Sequence, residues 1–233
     1  MCVFPLQHAS RHTHRMGGMS LRPFADRRAA GAQLASAISR RALRAPVVVL
    51  GLPRGGVPVA FEVARALRAP LDVMPVRKVG MPGQPELALG AIAAGGVTVR
   101  QPLGYAGFEP DAREFAALAD AERGELERRE QLYRRGRPPL ELEGKTAILV
   151  DDGLATGATM LAAVRAARKA GAARVVAAAP VASNEAAGRI GAECDDTVIL
   201  RIPPALRAVG EWYTDFGQLE DREVCELLEE STH

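Results

Sequence analysis

The stretch Ala147-Ile148-Leu149-Val150-Asp151-Asp152-Gly153-Leu154-Ala155-Thr156-Gly157-Ala158-Thr159-Met160 constrains the fold of this chain more than any other segment. An apolar run, two adjacent carboxylates, a loop of small residues with Thr and Gly, and an Ala-rich helical pattern spell strand, loop, helix. The apolar run suits a strand buried on both faces of a parallel sheet. The carboxylates then fall at its carboxyl end, where open α/β sheets bind ligands. The following helix offers free N–H groups and a positive dipole end to an anion. Paired carboxylates suit a diol, and Thr hydroxyls with Gly amides suit a phosphate. One site holding both describes a sugar phosphate.

This motif resembles the signature of the type I phosphoribosyltransferases, which bind 5-phosphoribosyl-1-pyrophosphate (PRPP). The resemblance implies that Asp151 and Asp152 hold the ribose hydroxyls. It implies that the loop through Gly153, Leu154, Ala155, Thr156, Gly157, Ala158 and Thr159 wraps the 5-phosphate. A P-loop nucleotide site is excluded. The chain's Gly144-Lys145-Thr146 has Pro139 where the motif's first glycine belongs, and it runs into a strand instead of opening a helix.

Around that motif, buried strands alternate with helices. Apolar spacing predicts a helix within residues 24–43 and another over 57–67, with strands over 47–50 and 71–76. A hairpin over 88–99 turns at Gly95-Gly96, and a long charged helix covers 111–135. After the signature strand and its helix come a strand over 174–180, a helix from Ser183 and a strand over 197–200. The expectation is a doubly wound parallel sheet of the type I phosphoribosyltransferase fold, the resemblance covering Phe24 to Leu228. Residues 1–19 read as a disordered tail and 20–233 as one domain. Within it, 80–144 is a flexible-loop and helical insertion and 201–220 a small hood.

Gly51-Leu52-Pro53-Arg54-Gly55-Gly56 also lies between a buried strand and a helix, at the same sheet edge. Arg54 is a bidentate cation suited to phosphate, and the glycines let backbone approach closely or take conformations other residues resist. The loop resembles the family's pyrophosphate loop, where an Arg-Gly or similar pair often forms a cis peptide. Arg77 and Lys78, ending the next strand, would add charge at that edge. Gly80 to Glu86 is rich in Pro and Gly and looks like the start of the family's closing loop. Glu86 reads either as a group acting on the reacting centre or as a surface carboxylate. The charged residues of 122–135 pair at i,i+3 and i,i+4, as on a solvated or subunit-facing helix.

The acceptor end is less definite. Trp212, Tyr213, Asp215 and Phe216 cluster after the last strand, in a chain only 4% aromatic. They read either as a stacking and hydrogen-bonding hood for a planar base or as core plugging the sheet edge. Enzymes of this family acting on 6-oxopurines place an acid where this chain has Ala155, so the acceptor stays unassigned.

Composition removes other chemistries. His8, His12, His14 and His233 are all terminal, and Cys2, Cys194 and Cys225 have no paired spacing. Hydrolytic triads, Cys-His pairs and zinc sites are therefore not expected in the folded body. A net charge of +2 argues against nucleic acid as partner, and no apolar run approaches the roughly 18 residues of a membrane span. The resemblance implies an Mg²⁺-dependent transfer of 5-phosphoribose from PRPP to a nitrogenous acceptor, a nucleobase by preference. Mg²⁺ would be held through PRPP and water, without direct protein ligands, in a cytoplasmic homodimer. The competing reading is a PRPP- or nucleotide-sensing protein that keeps the pocket without turnover.

Overall fold

A computed structural model describes residues 22–44, 46–100, 110–135, 137 and 140–231. The expected tail over 1–19 and all four histidines lie outside the described residues, as does the Glu86 side chain.

The central sheet has the order β2-β1-β6-β7-β8, built from β1 (Val47–Gly51), β2 (Leu71–Val73), β6 (Thr146–Val150), β7 (Arg174–Val181) and β8 (Asp196–Arg201). Every pairing in it is parallel, with Leu50 opposite Leu149 and Gly51 opposite Val150. Strand alternation divides the side chains between two layers. Leu50, Ala147, Leu149 and Ala177 enter one core, shared with α4 (Ala158–Lys169). Val49, Ile148, Val150 and Ala178 enter the other, shared with α1 (Arg27–Ser39), α2 (Gly56–Leu67) and α6 (Asp221–Glu230). Helices on both faces bury both sides of the sheet, which is why its central strands are continuously apolar. Ile148 and Leu149 are fully buried, so truncating either to Ala would cost about 2–5 kcal/mol.

The expected strand over 71–76 is two strands. Pro75 supplies no N–H to a ladder, and the chain leaves the parallel sheet after Val73. It starts a second, antiparallel sheet of β3 (Val76–Met81), β4 (Gln84–Ala93) and β5 (Val97–Arg100). The Pro82-Gly83 pair is a tight turn, with Met81 paired to Gln84 and Gly83 at φ 77°. The Pro and Gly content of residues 80–86 therefore makes a hairpin and not an open loop. The Gly95-Gly96 turn joins β4 to β5 as the sequence predicts, both glycines having positive φ.

The long helix α3 (Ala112–Tyr133) opens with a capping box between Asp111 and Glu114. Several charges on and beside it are paired within the chain. Arg77 of β3 meets Glu122 at 2.5 Å, Arg128 meets Asp221 of α6 at 2.9 Å, and Arg134, just past the helix, meets Asp72 of β2 at 2.9 Å. The remaining helix, α5 (Asn184–Gly191), is capped by Ser183, whose hydroxyl accepts from Ala186 N–H. Among the described residues no helix is long and apolar enough to cross a membrane.

Candidate active site

β1 and β6 are neighbours, and the chain leaves them in opposite directions, β1 toward β2 and β6 toward β7 and β8. Such a reversal opens a crevice at the carboxyl ends of the two strands. The loops after both strands meet there. Leu52 N–H donates to Val150 O at 2.9 Å, and a Cβ on Gly56 would lie 2.9 Å from Asp151 Cα. On Gly55 a Cβ would fall 2.5 Å from the carboxylate carbon of Asp152. Gly55 has ordinary helical angles, φ −60° and ψ −35°. Its requirement is therefore room and not an unusual conformation, which corrects half of the sequence expectation. The cis peptide also falls one bond earlier than expected, between Pro53 and Arg54. The Arg54 side chain is half-exposed on this loop.

The two carboxylates differ in surroundings. Asp151 Oδ1 accepts the Asp152 N–H at 2.9 Å. Burial and the neighbouring Asp152 charge push its carboxyl well above the usual range. Asp152 is also raised by burial, but Arg27 opposes the shift. Arg27 Nε donates to Asp152 Oδ2 at 2.8 Å, with side-chain exposures of 12% and 14%. Half-buried carboxylates side by side with one counter-cation are an arrangement more usual at functional sites than at purely stabilising ones.

In the loop after them, Leu154 is 2% exposed and its side chain belongs to the core. It exchanges backbone bonds with Val181 and Ser183 and so pins the loop. Its expected part in phosphate binding is therefore limited to its backbone. Ser183 Oγ donates to Ala155 O at 2.7 Å. Gly157 caps α4 in the left-handed region, at φ 75°, a conformation that favours glycine. Ala155 and Thr156 are exposed and Thr159 is half-buried at the N-terminal turn of α4, where free N–H groups suit an anion. Gly153 has no room for a side chain, since a Cβ would lie 2.7 Å from Val209 Cγ2.

Arg77 and Lys78 do not end a strand of the central sheet. Both lie inside β3, and neighbours in a strand face opposite ways. Arg77 is turned to Glu122 of α3, bonded through both Nε and Nη2. The Arg77 charge that the sequence suggests for the pyrophosphate edge is therefore paired elsewhere in this structure.

The hood residues form a column. Arg201 lies 3.7 Å over Phe24, Phe24 and Tyr213 have centroids 5.5 Å apart, Tyr213 and Phe216 stack at 5.0 Å, and Arg27 lies 3.8 Å over Phe216. Tyr213 is buried, and its hydroxyl donates to Asp152 O at 2.6 Å. Burial pushes that phenol upward. Trp212 is half-buried beside this column, and Asp215 is exposed, its carboxylate accepting the Gly217 N–H at 3.1 Å. Sequence reading missed Phe24 and Arg27. Phe24 pairs as a bridge with Tyr213, and Arg27 is 125 residues from its partner Asp152. Only the helix cap Asp26, whose carboxylate accepts the Ala29 N–H at 2.7 Å, leaves a local trace there.

Fold and site together define an α/β protein with two small-residue loops that meet at the switch point of a parallel sheet. The model of the family "Phosphoribosyl transferase domain" matches residues 25–202, and the chain belongs to that family. It is 46% identical over 206 residues to the "Putative phosphoribosyl transferase Rv0571c" of Mycobacterium tuberculosis strain H37Rv, covering 88% of this chain and 46% of that protein. The same figures hold for the "Putative phosphoribosyl transferase MT0597" of strain CDC 1551. The chain thus spans about half the length of the curated relatives it matches. The crystal structure of TT1426 from Thermus thermophilus is similar at a TM-score of 0.75 and 48% identity, over 89% of this chain and 98% of that one.

Proposed function

We propose that this protein transfers 5-phosphoribose from PRPP to a nitrogenous acceptor, by preference a nucleobase, with release of pyrophosphate. One observation carries the reading: Gly55 of the first loop abuts the Asp152 carboxylate of the second. A ligand with a diol, a phosphate and a pyrophosphate needs that adjacency. Asp151 and Asp152 accept from the ribose hydroxyls, the loop through Thr159 and the N-terminus of α4 hold the 5-phosphate, and Arg54 with the 53–56 backbone receives the pyrophosphate. Orientation of the ribose and neutralisation of the departing charge supply the catalysis. Lys78 is a further candidate for the pyrophosphate side.

Mg²⁺ suits this donor set as a passenger of the ligand. Among the described residues no three His, Cys, Asp or Glu side chains gather into a metal cage, and Asp152 already has Arg27. The cation would be carried in by the ligand and, when bound, would supply neutralisation of the pyrophosphate charge. A homodimer is part of the same proposal.

Isothermal titration with PRPP in MgCl₂ tests the reading. Binding is expected for the wild type and is expected to vanish in Asp151→Asn/Asp152→Asn. Absence of wild-type binding, or binding indifferent to the double change, rejects it. A sensing role is favoured by one observation, the burial of Tyr213, whose hydroxyl donates to Asp152 O instead of facing an open hood. Screening purines, pyrimidines and amines for pyrophosphate release decides between the two: turnover with any acceptor removes the sensing role.

A further inference from the structure

Arg27 stands outside both signature loops, yet its side chain ties the Asp152 carboxylate to the hood, beside the Tyr213 hydroxyl that holds the Asp152 backbone. It comes from the first turn of α1, and its guanidinium makes three contacts. Nε donates to Asp152 Oδ2 at 2.8 Å, Nη1 donates to Gly217 O at 2.9 Å, and the plane covers Phe216 at 3.8 Å. Only 12% of the side chain is exposed. A planar, permanently charged fork can make all of these at once, whereas an ammonium cannot.

We propose that Arg27 is the positioning residue of the PRPP site, holding the Asp152 carboxylate charged and aimed at the ribose diol while tying the 216–217 segment to it. The inference rests on the reading of Asp151 and Asp152 as the PRPP site. The charged or titratable groups set against Asp152 are Arg27 from α1, Asp151 beside it and Tyr213 from the hood, while the 53–56 loop meets it with the Gly55 backbone. Of these, Arg27 is the cation. Burial drives both aspartates toward the protonated form, and Arg27 opposes that drive. A protonated Asp152 would present a hydroxyl where an acceptor for the diol is needed.

PRPP affinity in MgCl₂, measured by isothermal titration from pH 5 to 8, tests this with Arg27→Met, Arg27→Gln and Arg27→Lys. The expected loss for Met and Gln at pH 7 is roughly 10- to 100-fold, the scale of a hydrogen bond to a charged group. Their acid limit of binding should also move to higher pH. Lys should restore the acid limit, because it restores the charge, without restoring the contacts to Phe216 and Gly217. A merely structural arginine would lower the melting temperature and leave the acid limit where it is. If Met fails to fold, Gln decides. Wild-type affinity and acid limit in a folded Met or Gln variant overturn the proposal. Failure of the wild type itself to bind PRPP instead overturns the functional reading, and this inference falls with it.

Discussion

Gly55 and Asp152, nearly a hundred residues apart, are in contact through a glycine Cα and a carboxylate, with no room for a methyl group between them. Gly55 takes ordinary helical angles, so alanine is acceptable to the backbone there and objectionable only to Asp152. Gly55→Ala should therefore displace the carboxylate or the loop. PRPP affinity should fall by at least about tenfold, on the scale of one hydrogen bond to a charged group. Titration calorimetry checks it, and undiminished affinity would show that the two loops do not act on one ligand.

The paired aspartates should weaken the fold at neutral pH. The Asp151 carboxyl is raised above its ordinary value of 3.8, so the folded state binds that proton more tightly than the unfolded chain does. Stability from this group then falls as pH rises from about 4 through the folded value, and stays reduced above it. Asn cannot ionise. Asp151→Asn should match the wild type near pH 4 and melt a few degrees higher at pH 8, at about 2–4 °C per kcal/mol for a chain of this size. Thermal unfolding across that range measures it. A variant that is less stable at every pH would contradict the assignment.

Arg77 is committed to Glu122. Arg77→Ala should leave PRPP affinity within about twofold and cost roughly 0.2–1 kcal/mol of stability, as half-exposed ion pairs do. A double-mutant cycle with Glu122→Ala should recover a coupling of that size. Loss of PRPP affinity in the single variant would return Arg77 to the pyrophosphate side.

Trp212 is the hood ring outside the Phe24–Tyr213–Phe216 column. It is half-buried and remains the candidate for stacking on an acceptor base. Trp212→Ala should raise the dissociation constant of a nucleotide product about 5- to 150-fold, the range of base–aromatic stacking at 1–3 kcal/mol. PRPP affinity should barely change. Isothermal titration with nucleoside monophosphates reads this out, and an unfolded variant or unchanged binding makes Trp212 core.

What the sequence determined is local. An apolar run followed by Asp151-Asp152 and a Thr/Gly loop has one economical fold, because strand burial, helix-terminal amides and small residues each act within a few positions. The alternation of such units then forces a parallel sheet, and β1 and β6 bring their loops to one edge without further instruction. Even the long helix was legible, since Asp111 and Glu114 cap it through neighbours.

Tertiary structure decided the partners. Arg27 was one arginine among many until α1 crossed α2 at Gly31, where a Cβ would lie 2.8 Å from Val59 O, and carried it to Asp152. Arg77 looked like site charge until β3 turned it toward Glu122. Tyr213 looked like part of an open hood until Phe24 packed onto its ring and buried it. Each of these depends on a contact between distant segments, and the energy of such a contact resides in the pair, so neither residue announces it alone.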